Sequence, residues 1–276
     1  MDRSGTIVYL GTEGNAKSCL GLAHLLGDGW RVALVVAYVA DAGRGGGASP
    51  RKRLRRAAGS ALRACPVFRL ACRRLRQRRP RLEFPRLEQT CVRHGVAYEP
   101  TEDTTLAACK QQIAELEPDV LLSNGWQFRV PPEIFSLARV AALNCHSSYL
   151  PEYRGGNVTF APLINEETRS GVTVHEMVWR FDAGRILAQQ RVPIEPGETP
   201  ASLNAKRARA TGQVLIRALQ RAGHEHLYKP NPPSPFYPRC DYATYRRYRR
   251  ANRLRKLLGL PIKRYEPRPS PTRQPR

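Results

Sequence analysis

Asn144, His146 and Asp182 put an amide, an imidazole and a carboxylate into one region of the chain. Those three groups can manage a tetrahedral intermediate at a carbonyl carbon. When an amine attacks a formyl carbon the carbonyl oxygen becomes negative, and a donor aimed at it is worth roughly 3 to 4 kcal/mol in the transition state. Asn144 can supply that donor. His146, an imidazole that ordinarily titrates near about 6.5, can donate a second hydrogen bond or shuttle a proton. Asp182 would orient His146 and accept, directly or through water, the proton lost by the attacking ammonium. No covalent intermediate is required, and strand alternation turns Cys145 to the opposite side, as a core residue rather than a nucleophile.

The elements that must position these groups follow from hydrophobic periodicity. The apolar run from Val140 to Leu143 ends at Asn144, and a side-chain period of two sends Asn144 and His146 off the same side of the chain. Val172 to Val178 alternates apolar and polar positions, Phe181 to Gly184 is a turn, and Ile186 to Val192 resumes a strand pattern. Asp182 therefore sits on a turn between two antiparallel strands, and His175 reads as a sheet-face residue. Upstream, Thr6 to Leu10 predicts a strand, Gly11 to Asn15 a turn and Ser18 to Leu26 a helix. The turn lacks both the Gly-x-Gly-x-x-Gly fingerprint and the P-loop lysine, which supports neither NAD nor ATP, although its amides could hold a phosphate. Strands at Trp30 to Val36, near Val96, at Val120 to Leu122 and at Val140 to Leu143 alternate with helices at Phe84 to Arg93 and Thr105 to Leu116. That order predicts an α/β fold with a mostly parallel sheet covered on both faces. A long helix over Asn204 to Ala222 follows Thr199, its cap, and Pro200, which opens it.

Asn144-Cys145-His146 running into Leu150-Pro151-Glu152-Tyr153-Arg154-Gly155, then Gly171-Val172-Thr173 and Asp182-Ala183-Gly184, resembles the folate-dependent formyltransferases over roughly Pro118 to Leu219. That family includes glycinamide ribonucleotide transformylase, methionyl-tRNA formyltransferase and the sugar N-formyltransferases. The resemblance implies a Rossmann-like domain, Asn144, His146 and Asp182 as the catalytic residues, and 10-formyltetrahydrofolate as co-substrate with no metal. It further implies a pterin cradle from Asn124, Gly125, Trp126 and Phe128 together with Leu150 and Pro151, and acceptor contacts from Gly11, Thr12 and Arg154. The acceptor expected is the amine of a small molecule, with a nucleotide-linked amino sugar or a natural-product intermediate as the nearest class and a phosphorylated acceptor left open. Methionyl-tRNA formyltransferase-like activity ranks below it, because the residues after Arg221 are proline-rich and helical instead of forming that enzyme's C-terminal barrel. A formyltetrahydrofolate hydrolase and a non-catalytic nucleic-acid-binding protein are the alternatives from other classes.

The catalytic domain is expected over residues 1–222, interrupted by a basic helical insertion at about 44–82. Its clusters Arg51 to Arg56 and Arg73 to Arg79 flank a more apolar stretch, which suits a solvated or dimer-packing surface first, and a polyanion or membrane second. A proline-led extension follows over 223–264, in which Tyr242 to Arg250 reads as an aromatic and basic helix anchored by Leu254, Leu257 and Leu258, and 265–276 reads as a disordered tail. The net charge of +23 would attract anions in general without choosing among them. The 7 cysteines form no Cys-x-x-Cys pair, which fits a reducing cytoplasm. No transmembrane run or signal peptide is expected, a homodimer is left open, and nucleic acid ranks below a small molecule as partner.

Overall fold

A computed structural model describes residues 1–40 and 84–267, so the expected helical insertion at 44–82 and residues 268–276 of the expected tail lie outside the described part. The described residues Met1–Tyr38 and Phe84–Pro267 belong to one compact unit. The first unit is built on a seven-stranded sheet in the order β3-β2-β1-β4-β5-β6-β7. Its strands are β1 (Ile7–Thr12), β2 (Val32–Tyr38), β3 (Ala97–Thr101), β4 (Val120–Asn124), β5 (Ala141–His146), β6 (Arg169–Glu176) and β7 (Ile186–Pro193). The first five are mutually parallel, and β6 and β7 are antiparallel additions. This is the expected α/β, Rossmann-like architecture with a mostly parallel sheet.

Alternation along β1 shows how both faces are covered. Ile7 and Tyr9 pack with Leu22, Leu25, Leu122, Leu215 and Leu219, whereas Val8 and Leu10 pack with Leu34, Leu121, Ile113 and Ile134 on the opposite face. The first face carries α1 (Ala16–Gly27), capped by Asn15, and the long α6 (Pro200–Arg221), capped by Thr199 as predicted, with Ser202 reciprocating. A Cβ on Gly21 would lie 2.2 Å from Asn124 Nδ2 and 3.0 Å from Leu215, so only glycine lets α1 settle this closely against β4 and α6. Between these helices the chain forms α2 (Leu87–His94), α3 (Lys110–Glu115), α4 (Pro132–Phe135) and α5 (Phe160–Ile164). The helix expected over Thr105 to Leu116 is a short 3-10 turn followed by α3, since Leu106 adopts a left-handed φ of 63° that breaks the helix start.

The C-terminal residues pack in the same unit. Helix α7 (Tyr242–Leu257) lies on α5 through Tyr245, Phe160 and Leu163, and Asn252 pins it by donating to the carbonyls of Ile164 and Lys263 at 3.2 and 3.1 Å. Tyr245 faces inward at 7% exposed and Tyr248 is half-buried, while Tyr242 is 58% exposed and Leu254, Leu257 and Leu258 are 59, 78 and 64% exposed. The leucine anchor predicted from sequence is therefore made by aromatic residues instead, because ring contacts with Phe160 on the opposite stripe of the helix bury more surface. Tyr265, expected to begin the disordered tail, is ordered by a 2.7 Å bond from its N–H to Asn165.

Candidate active site

The strand order reverses between β1 and β4, and the ends of β1, β4 and β5 open there onto a cavity of about 740 Å³. Asn144 and His146, two residues apart at the end of β5, both line it. Ser123, beside Asn144 in the parallel register, donates its hydroxyl to Asn144 Oδ1 at 3.0 Å, which turns the amide nitrogen towards β6. Asn144 Nδ2 lies 3.4 Å from Asp182 Oδ1, and His146 Nδ1 lies 3.3 Å from the same oxygen. Asp182 Oδ2 accepts the Gly155 N–H at 2.9 Å. The three residues singled out by spacing thus meet around one carboxylate.

A fourth group joins them that sequence reasoning left on a sheet face. His175 lies directly opposite Asn144 in the β5–β6 register, with Nε2 3.2 Å from Asn144 Nδ2 and 3.5 Å from Asp182 Oδ1. It does face out from the sheet, but towards the cavity, and it is 2% exposed. Its Nδ1 donates to the Glu176 carbonyl at 2.7 Å, which turns Nε2 towards Asn144 and Asp182. Alternation within β6 says only that His175 belongs to a sheet face, and it is the pairing with β5 that sets it beside the amide.

Burial alone would raise the Asp182 carboxyl, yet the imidazoles of His146 and His175 and the Gly155 N–H outweigh it and hold the group well below the carboxylate range. It is ionised at neutral pH. His146 goes the other way: burial pulls its imidazole below the ordinary 6.5, an effect only partly offset by Asp182. Its Nδ1 faces the carboxylate and its Nε2 faces the Tyr153 carbonyl at 3.2 Å, so both nitrogens are placed to hold a proton when one arrives. As pH falls through about 6.5 the unfolded chain protonates this imidazole while the folded chain resists, so acidification costs stability in that window. His146→Gln is accordingly expected to lose fewer degrees of melting temperature than the parent between about pH 7.5 and 5.5; equal losses in thermal melts would contradict this.

The cavity has two chemically different arms. On one side Trp126, Phe128, Val130, Met177 and Trp179 give a flat apolar lining, with Tyr38 packed behind Trp126 and Phe128 at centroid distances of 6.1 and 4.6 Å. The Arg129 guanidinium lies over the Trp179 and Phe181 rings at 4.3 and 4.1 Å. The other side holds Lys17, Arg207 and Arg239, and among the described residues none of them has a carboxylate within 4.0 Å. Lys17 Nζ donates to the Cys145 carbonyl and, at 3.1 Å, to the Ser147 hydroxyl. Arg207, 2% exposed, donates to the carbonyls of Ser147 and Val158 at 2.7 Å each and to Asn204 Oδ1, and burial pulls its guanidinium down to about 9. Burial also lowers the Lys17 ammonium.

Of the other residues expected at the site, Gly125, Trp126 and Phe128 line the cavity and six do not. Asn124 is buried, donating to Tyr9 Oη at 2.7 Å and to the Lys17 carbonyl at 2.9 Å. Leu150 and Pro151 stand behind the site, with the Leu150 N–H bound to Thr173 Oγ1 at 3.0 Å and the Pro151 carbonyl to Ser234 at 2.6 Å. Gly11 and Thr12 belong to β1, which runs two residues further than predicted. Gly11 packs on Leu87 and Ser18, and the Thr12 hydroxyl donates to the Gly125 carbonyl at 2.8 Å. Asn15, Ala16 and Lys17 take their place on the cavity wall. Arg154 is 2% exposed and donates to Asn231 and Pro232, so it braces the site from behind. Cys145 packs in the core with Tyr9 and Cys19 and also borders the cavity, and burial raises its thiol.

Known structures share this framework at low identity. Glycinamide ribonucleotide transformylase 1 from Symbiobacterium toebii superposes with a TM-score of 0.55 at 18% identity, covering 78% of this chain and 85% of that one. Phosphoribosylglycinamide formyltransferase from Bacillus halodurans gives 0.54 at 17%, covering 81% and 98%. HypX from Aquifex aeolicus, solved in complex with tetrahydrofolic acid, gives 0.53 at 15%, covering 85% of this chain but only 30% of that longer protein. Residues 71–219, more than half of the chain and spanning Asn144, His146, His175 and Asp182, match the family model described as formyl transferase. The chain belongs to the formyl transferase family.

Proposed function

We propose that this protein is an N-formyltransferase that moves the formyl group of 10-formyltetrahydrofolate to the primary amine of a small acidic acceptor, with a nucleotide-linked amino sugar or a natural-product intermediate as the nearest class. The observation that carries this reading is the meeting of Asn144, His146 and His175 on the Asp182 carboxylate, between an aromatic arm and a cationic one. The aromatic arm fits a folate: the buried Trp126 Nε1 has no hydrogen-bond partner among the described residues, as a flat heterocycle with acceptor atoms would require, and Arg129 suits the carboxylates of the folate tail. Asn144 and His146 would donate to the formyl oxygen as it gains charge, and Asp182 would take the proton that the attacking ammonium gives up. When the intermediate collapses, the bond from carbon to the folate nitrogen breaks, and the proton taken up at Asp182 would pass through His146 to that nitrogen, which leaves both groups as they began.

Incubating the protein with 10-formyltetrahydrofolate and a panel of phosphorylated or nucleotide-linked amines tests this directly. A product heavier than its amine by one formyl group supports transfer, and formate release that ignores the amine would make the protein a hydrolase instead. The cationic arm adds a sharper expectation. Lys17→Met is expected to raise the acceptor KM about tenfold or more while kcat stays within about threefold, as for lost binding shared by ground and transition states. An unchanged KM would remove the acidic acceptor from the proposal.

A further inference from the structure

The turn that carries Asp182 is gripped by a residue far outside the matched family region. Asp182 has a φ of +50°, a left-handed conformation that is uncommon for a residue with a side chain and must be over-determined by its surroundings. The overdetermination comes from one amide. Asn231 Nδ2 donates to the Asp182 carbonyl at 2.9 Å and to the Gly184 carbonyl at 3.0 Å, spending both of its hydrogens on the two sides of the turn. Asn231 Oδ1 accepts from the buried Arg154 at 3.3 Å, and the next residue, Gly155, supplies the N–H that holds Asp182 Oδ2. One side chain therefore links both segments that fix the carboxylate.

Asn231 sits on an extended strap whose prolines preclude a helix, and the strap is stitched to the site along its length. Lys229 pairs with Ile186 through two bonds of 2.8 Å, Ser234 donates to the Pro151 carbonyl at 2.6 Å, and the Tyr237 N–H donates to the Arg154 carbonyl at 2.8 Å. Phe236 lies so close to Gly155 that a Cβ there would meet its ring at 2.5 Å, so this glycine is what allows the strap to seat. Phe236 and Arg239 then line the cavity.

We propose that Asn231 is a positioning residue for Asp182, and that the strap around it is a working part of the catalytic centre. This rests on the reading of Asp182 as the proton acceptor. Asn231→Asp, which replaces both donated hydrogens by a carboxylate facing two carbonyls, is expected to lower kcat about thirtyfold or more, and Asn231→Ser, which keeps one donor, about fivefold. KM for the folate should stay within about twofold in both, because the aromatic arm is untouched. The acid limb of the kcat–pH profile should move to higher pH, since a carboxylate that drifts from His146 and Gly155 loses what keeps it ionised. A brace with no catalytic role would lower the melting temperature and leave that limb where it was. Full-chain steady-state kinetics across pH, alongside Asp182→Asn, separates the outcomes. If Asp182→Asn stays active, the reading of the site fails; if it is dead while Asn231→Ser keeps parental kcat and an unmoved acid limb, the clamp alone is overturned. Should Asn231→Asp fail to fold, Asn231→Ser decides by the same criteria.

Discussion

Asn144→Ala is expected to lose formyl transfer by about two to three orders of magnitude and to melt within a few degrees of the parent protein. The size of the loss follows from where the amide stands. Ser123 holds Asn144 Oδ1, so Nδ2 is the end that faces Asp182 and the cavity, in place before any substrate charge develops. A donor oriented in advance and shielded from water costs no reorganisation at the moment the oxygen becomes negative. Stability is spared because Asn144 is only partly buried at the strand end, and its backbone pairing with β4 and β6 does not involve the side chain. Single-turnover rates and thermal melts on the same sample decide it; near-parental turnover would remove Asn144 from the chemistry.

Asp182→Asn is expected to cost about two orders of magnitude as well, with a different signature. The substitution keeps the shape of the side chain and removes its charge. With the carboxylate gone, the ammonium proton loses the acceptor assigned to it, and reaction falls back on acceptor already deprotonated in solution. The residual rate should then climb about tenfold per pH unit below the acceptor's own pKa, whereas the parent levels off once Asp182 is ionised. A variant with the parent's flat profile would show that the proton leaves by another route. The change also removes the group that offsets burial at His146, so the imidazole should titrate still lower.

How far these residues could be read in advance depended on whether local spacing or long-range register fixes them. The period of two in β5 was enough to send the side chains of Asn144 and His146 towards one site, because that relation is internal to a single strand, whereas Cys145 packs in the core and still borders the cavity. Asp182 was legible as a turn residue from Phe181 to Gly184. His175 was not, since its meeting with Asn144 depends on which residue of β6 pairs with which of β5, and shifting an antiparallel partner by one residue would send His175 to the other face. Lys17 and Arg207 carry the same charge as the cations around them in sequence; burial without a carboxylate sets them apart, and burial appears only when α1 and α6 close on the sheet. Gly11 and Thr12 were misplaced by two strand residues, enough to move the cavity wall on to Asn15, Ala16 and Lys17. The leucines of α7 illustrate a broader limit: an apolar stripe shows that a helix has two sides, and aromatic competition decides which side is buried.

The single carboxylate of Asp182 is held from Asn144, from Gly155 and, through its own backbone, from Asn231. These anchors are scattered across nearly ninety positions of the polypeptide, a stretch that starts in β5 and ends beyond α6, after the last strand of the sheet. Competence for the reaction therefore arrives late during folding and departs early on warming. Turnover should vanish a few degrees before the bulk of the secondary structure melts, which makes enzymatic rate a more sensitive thermometer of this protein's integrity than its circular dichroism.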